Sequence, residues 1–215
     1  MAEKKRVLVR GPALTSSGYG EHARLILRAL RANEEHFEVF FENTTWGQTG
    51  FLIDDNEERA WMDYLQAKTQ NFKSMRGGFD VAIQVTIPPE WQPLAPINIG
   101  VTAGIETTKV APQWIEKCKV VNKIIVPSEH ARYAFDNTVY KISNPQTNVE
   151  VELSNTTPIE VIPYPVKDTI AEEIDLNLDY DFNFCTVAQW GPRKNLGNTI
   201  KWFVEEFKDE EVGLV

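Results

Sequence analysis

Short apolar runs alternate along the chain with longer stretches in which apolar residues return every three or four positions. That alternation predicts strands and helices in turn. Residues 6–10, centred on Val7, Leu8 and Val9, read as a short buried strand. Residues 19–32 read as a helix with His22, Ile26, Ala29 and Leu30 on one face. A second strand is expected over 37–42, and a second helix over 56–73 carrying Trp61, Tyr64 and Leu65. Further strands are expected over 79–86, after the Gly77-Gly78 turn, and over 97–102, fenced by prolines. A helix over 111–119 has Pro112 in its first turn, where a missing N–H costs nothing. A strand over 123–126 and a helix through Phe135, capped by Ser128, follow. Strands alternating with helices imply an α/β fold with a Rossmann-like parallel sheet covered on both faces.

Two segments break the rhythm. Residues 139–153 are polar with an Asn144-Pro145 turn signal, and read as a β-hairpin insertion. Residues 168–181 are acidic and follow the Pro-stiffened exit Ile162-Pro163-Tyr164-Pro165. The domain boundary is placed there, giving a first domain over 1–167, a linker over 168–181 and a second domain beginning at 182. In that second part, 182–189 reads as a buried strand and 195–207 as an amphipathic helix with Leu196, Ile200, Phe203, Val204 and Phe207 on one face. Residues 211–215 resemble the start of another strand. One strand, one helix and a strand start bury little core, so 182–215 reads as the truncated opening of a second Rossmann-like domain.

Composition narrows the functional classes. The 215 residues are 42% hydrophobic and 25% charged, near the averages for globular proteins. The net charge of −9 argues against a non-specific nucleic-acid binder, whose affinity comes from cations against phosphate. Neither an apolar stretch of membrane-spanning length nor a signal peptide is evident, and a cytoplasmic location is expected, with peripheral attachment to the inner membrane face as an extension of it. Cys118 and Cys185 read as reduced core or near-surface thiols, and His22, His36 and His130 lack ligand-like spacing, so a zinc site is not expected.

Three loops, each following a strand, are the candidates for chemistry. The first runs from Gly11 to Gly20, joining the first strand to the first helix at the carboxyl edge of the sheet. Its glycines permit close backbone approach to a ligand, or else serve a flexible turn with a Ser cap. The spacing fits neither a dinucleotide fingerprint nor a P-loop. The second is Gly191-Pro192-Arg193-Lys194-Asn195, where two cations precede a helix. They oppose the positive end of its dipole by about 0.3–1 kcal/mol each. A bound phosphate reverses that penalty, and a solvated basic turn is the alternative. The third contains Glu106 and Thr107 after the strand at 97–102. Glu106 is either a base or acceptor for sugar hydroxyls, or a solvated carboxylate.

Taken together these segments resemble a retaining glycosyltransferase of GT-B fold, the family-4 type. Ser17-Gly18-Tyr19-Gly20-Glu21 resembles that family's N-terminal glycine loop. Gly104-Ile105-Glu106-Thr107-Thr108, Pro112-Gln113-Trp114 and Ile124-Ile125-Val126-Pro127-Ser128 resemble its glutamate-threonine loop, Pro-x-Trp helix and "VPS" strand end. Val187 to Asn195 resembles the first strand and "RKN" turn of its nucleotide domain.

The resemblance implies an acceptor-side domain followed by the opening of a donor-side domain. Arg193 and Lys194, with Gly18 and Gly20, would serve the donor phosphates, and Tyr19, Glu106 and Thr107 the acceptor or transferred sugar. The co-substrate would be a nucleotide-sugar, with a glycan or lipid acceptor and no metal cofactor. The family's pair of donor-binding glutamates has no counterpart before Val215, so the polypeptide as it stands is expected to turn over poorly. The competing readings are a non-catalytic α/β module that binds carbohydrate or a partner protein, self-associating through uncovered apolar surface, and a sugar-nucleotide epimerase of similar architecture.

Overall fold

The apolar run Val7-Leu8-Val9 becomes an interior strand of the sheet, next to its edge, with exposures of 2%, 0% and 0%. The computed structural model describes residues 3–52, 54–143, 150–166 and 168–215, and the chain divides into two units, Met1–Val166 and Lys167–Val215.

In the first unit β1 (Lys5–Gly11), β2 (Phe37–Asn43), β3 (Val81–Val85), β4 (Ile97–Val101), β5 (Lys123–Val126) and β8 (Ile159–Val161) form one sheet. Its order is β2-β1-β3-β4-β5-β8, and every pair is parallel. The crossovers contain α1 (Gly18–Arg31), α2 (Glu57–Ser74), α3 (Pro112–Cys118) and α4 (Glu129–Asp136). Between β5 and β8 the chain also makes a hairpin of β6 (Val139–Ser143) and β7 (Glu150–Ser154), paired antiparallel. The Asn144-Pro145 turn lies outside the described residues. The hairpin is tied down where Leu153 is buried and the Tyr140 hydroxyl donates to the Val110 carbonyl at 2.7 Å.

The two-residue period of the strands sorts the core. Val7, Val9, Val39, Phe41 and Val85 pack with Ala23 and Leu27 of α1 and Leu65 of α2. Leu8, Phe40 and Ala82, one residue out of phase, pack with Phe79. The face of α1 is shifted from the sequence reading: Leu27 is buried and Ala29 exposed. On α2 Leu65 is buried while Tyr64 is 62% exposed. A third cluster joins Ile124, Ile115, Phe135 and the fully buried Trp91. The edge strand β2 is blunted by α2. Thr69 Oγ1 accepts from the Phe41 N–H at 2.8 Å, and Lys68 Nζ donates to the Val39 carbonyl at 3.2 Å.

The second unit holds β9 (Phe182–Phe184), α5 (Leu196–Phe207) and β10 (Val212–Leu214), with the two strands parallel. Phe203 and Phe207 pack on Phe184, with centroids at 5.9 and 5.2 Å. The buried strand expected over 182–189 is corrected: regular pairing stops at Phe184, and Val187 and Trp190 are 93% and 73% exposed. One neighbouring strand and one helix cannot cover both faces of a parallel strand. Among the described residues of 168–215 none is buried. Among the described residues no helix is long and apolar enough to cross a membrane.

Candidate functional site

The connection β1-α1-β2 turns to one side of β1, and the next crossover returns to place β3 on its other side. In open α/β sheets such a reversal opens a crevice at the carboxyl ends of the diverging strands. The loops after β1, β2, β3 and β4 all reach this edge because all four strands run the same way.

The loop after β1 is held mainly by its own polar groups. Ser17 caps α1 by accepting the Gly20 N–H at 3.0 Å. The Thr15 N–H and hydroxyl both donate to the Pro12 carbonyl, at 2.9 and 2.8 Å. The Leu14 N–H goes to Asn43 Oδ1 at 3.1 Å and the Ser16 N–H to the Gly50 carbonyl at 2.8 Å. From α1, Arg24 reaches back and donates to the carbonyls of Ala13 (2.6 Å) and Thr15 (3.0 Å) while also pairing with Glu21 at 2.8 Å. Arg24 is only 8% exposed, so this cation is committed to the loop. The Glu21 carboxyl is disfavoured by burial, yet hydrogen bonds from Arg28 and Arg24 outweigh that and hold its pKa below the ordinary value.

The two glycines of the α1 start differ. A Cβ on Gly20 would lie 2.3 Å from the Thr15 carbonyl oxygen, so Gly20 is needed for the helix to meet its own loop. A Cβ on Gly18 would meet nothing within 4 Å. Gly18 is therefore the position where the backbone stays open to an approaching group.

Tyr19 ties this turn to the end of β4. Its hydroxyl bonds Thr102 Oγ1 at 2.8 Å and accepts the Ala103 N–H at 3.0 Å. Its ring lies against Trp46, from the loop after β2, with centroids 4.1 Å apart. Burial pushes the phenol pKa up, against the pull of those hydrogen bonds. Glu106 and Thr107 follow on the same post-β4 loop, both exposed, with the Thr107 hydroxyl donating to the Lys109 carbonyl at 2.7 Å. The loop containing Glu106 is thus anchored to the glycine loop through Tyr19.

One turn further along α1, His22 is 8% exposed and meets Tyr164 edge-on at 4.8 Å. Burial lowers its pKa to about 4, so the imidazole is neutral at pH 7. Tyr164, on the exit from β8, has its own pKa raised by burial and by the nearby Tyr19 phenol. Among the described residues His22 Nδ1, Thr44 Oγ1, Thr86 Oγ1 and Trp91 Nε1 are buried without a hydrogen-bond partner. Thr44 and Thr86 are the first residues beyond β2 and β3.

In the second unit Arg193 and Lys194 are exposed in a turn that precedes α5. The Lys194 and Asn195 N–H groups donate to the Gly191 carbonyl at 3.1 and 3.2 Å. Asn195 starts the helix with φ 53°, in the left-handed region that Asn tolerates. Pro192 lies in this turn rather than in the first helical turn.

Sequence reasoning missed Trp46, Thr44, Thr86 and Tyr164 as parts of this edge, and the clamp that Arg24 makes on the glycine loop. Their signal is positional: Trp46, Thr44 and Thr86 closely follow strand ends, and Arg24 is a cation on a helix face that folding buries. Comparison of the chain with family models, with curated proteins and with solved structures finds no match in any of the three.

Proposed function

We propose that the chain supplies the acceptor-side domain, and the opening βαβ unit of the donor-side domain, of a GT-B-fold retaining glycosyltransferase of the family-4 type. The observation that supports this most is the six-stranded parallel sheet whose carboxyl edge gathers the Gly18–Gly20 turn, Tyr19 and the Glu106-Thr107 loop. In such a transfer the acceptor hydroxyl oxygen bonds the anomeric carbon as the bond to the phosphate oxygen breaks. A nucleoside diphosphate leaves, and the hydroxyl proton passes to the departing phosphate or to a nearby base. Glu106 is the exposed carboxylate best placed in sequence to orient sugar hydroxyls. Arg193 and Lys194, in the turn before α5, would neutralise the leaving diphosphate. Gly18 leaves room for the sugar or phosphate to approach the α1 start.

A non-catalytic carbohydrate-binding module is the second reading, favoured by the absence of any buried residue among the described positions of 168–215. Titrating uridine and guanosine diphosphates into the full chain and into Arg193→Ala/Lys194→Ala separates the two. The transferase reading expects the double variant to weaken nucleotide binding about tenfold or more, the loss of two charge-assisted contacts. Equal affinity in both proteins would remove Arg193 and Lys194 from a donor site and leave the binding module.

A further inference from the structure

Beyond the bonds that the post-β1 loop makes within itself, two tethers reach it from outside, and both end on the first turn of α2. The first is a chain of charges. Arg24, which holds the Ala13 and Thr15 carbonyls, has Glu21 as its third partner. The other oxygen of Glu21 accepts from Arg28 at 2.7 Å. Arg28 then grips Glu58 of α2 with two parallel bonds, Nε to Oε1 at 2.5 Å and Nη2 to Oε2 at 2.8 Å. The second tether is a backbone bridge. Thr15 pairs antiparallel with Phe51, and the Leu52 N–H donates to the Leu14 carbonyl at 2.9 Å. The Leu52 carbonyl accepts in turn from Arg59 Nη1 of α2.

Isolated surface ion pairs hold little, because water screens them and long side chains lose freedom. The Arg28–Glu58 pair differs in being a two-pronged fork within a network, which fixes direction as well as distance. That direction matters at Glu21, whose two oxygens are divided between Arg28 and Arg24. Without Glu58, Arg28 is free to fork onto both Glu21 oxygens and draw that carboxylate away from Arg24. The disturbance has a path onward: Thr15 Oγ1 bonds Ser17 Oγ at 2.8 Å, and Ser17 caps α1 at Gly20. A neighbouring pair serves as contrast. Glu57 meets Arg31 at 3.0 Å, also between α2 and α1, but on the exposed surface.

We infer that Glu58 and Arg59 are positioning residues for the candidate site: the first turn of α2 sets the conformation of the Gly11–Gly20 loop through these two tethers. The inference rests on the transferase reading only in taking a nucleotide as the loop's ligand.

Hydrogen exchange on the full chain tests it. Glu58→Gln and Arg59→Met are each expected to speed exchange of the 13–20 amides about fivefold, with the β3 amides unchanged. The double variant should speed it about 25-fold, since separate routes multiply. Arg59→Lys keeps a donor for Leu52 and is expected to stay near wild type. Glu57→Gln loses an ion pair of the same helix turn and is expected to leave the loop alone. Uridine diphosphate is expected to bind Glu58→Gln about threefold more weakly than wild type, and Glu57→Gln as before. Unchanged loop exchange in both single variants, or exchange raised equally in β3, overturns the inference. So does an equal effect of Glu57→Gln, a failure of Arg59→Lys to rescue, or nucleotide affinity that is the same in wild type and Glu58→Gln. Faster loop exchange in a chain that binds neither uridine nor guanosine diphosphate would keep this inference and sink the transferase reading. Nucleotide binding lost in Arg193→Ala/Lys194→Ala, with loop exchange unchanged in Glu58→Gln and Arg59→Met, would do the reverse.

Discussion

The two units of this chain are built from the same alternation of strand and helix, yet only one buries a core. In Met1–Val166 a six-stranded sheet is covered by helices, and residues such as Phe41, Trp91, Ile124 and Phe135 are essentially inaccessible. In Lys167–Val215 two three-residue strands and one helix leave every described residue at least partly exposed. The difference is geometric: a parallel strand has two faces and two edges to cover, and a lone βαβ unit covers about half of them. Amphipathic patterning alone therefore does not make a core. The apolar stripe of α5 is as clear in sequence as that of α1, but only α1 meets a wide sheet.

Deleting one large side chain from each unit should separate them most. Trp91 is fully buried, with its ring 2.5 Å from where a Cβ on Gly100 would lie, so the indole fits a slot that Gly100 keeps open. Trp91→Ala is expected to cost about 3–5 kcal/mol in urea unfolding, because no neighbour can collapse into the gap. Phe203→Ala in α5 is expected to change that same transition by about 0.5 kcal/mol or less. Equal effects would mean that the second unit takes part in the main cooperative core.

A second prediction concerns the one buried histidine of the first unit. Its folded-state pKa is depressed from 6.5 to about 4 by burial. The unfolded chain therefore takes up a proton that the folded chain refuses. Stability from this group is complete above pH 6.5 and declines as pH falls towards 4, for a total of about 3 kcal/mol at that end. Glu21 and Glu58 add a further loss at lower pH. In Glu58 the Arg28 hydrogen bond leads the lowering, and in Glu21 hydrogen bonds from Arg28 and Arg24 overcome burial. Urea midpoints measured from pH 7 to 4 in the wild type and in His22→Gln check this: the variant's curve should be flatter between 6.5 and 4. Parallel curves would show that His22 does not titrate differently in the two states.

Most of the first unit was legible in the sequence. Strand positions, the Pro112 and Ser128 helix starts and the hairpin follow from local pattern and capping chemistry, which tertiary contacts left unchanged. The face of α1 was misread because Ala29 and Leu27 are both apolar, and only the sheet's position decides which one is covered. The strand over 182–189 was misread because an apolar run predicts burial only where something exists to bury it. At the candidate edge the glycines were visible, but Arg24's clamp on the loop and the unserved hydroxyls of Thr44 and Thr86 were not. Those depend on pairings 9 to 11 residues apart in one case and on the meeting of separate strand ends in the other.

The glycines themselves offer the smallest and sharpest test of how the edge is built. Gly18 and Gly20 look equivalent in sequence, two residues apart at one helix start. Gly20→Ala would drive a Cβ to 2.3 Å from the Thr15 carbonyl oxygen, which Arg24 also holds, so the loop cannot simply withdraw. A loss of about 1–3 kcal/mol is expected, as for overpacking elsewhere. Gly18→Ala meets nothing within 4 Å and lies in the first turn of α1, where Ala restricts the unfolded chain more than the folded one. It is expected to leave stability unchanged or raise it by about 0.4–1 kcal/mol. If Gly18 is there for ligand approach, the same variant should weaken saccharide or nucleotide binding while the fold is as stable as before. Unfolding midpoints and titrations on the two single variants therefore divide the loop into a glycine that the fold requires and a glycine that only a ligand would require. A destabilised Gly18→Ala would erase that division.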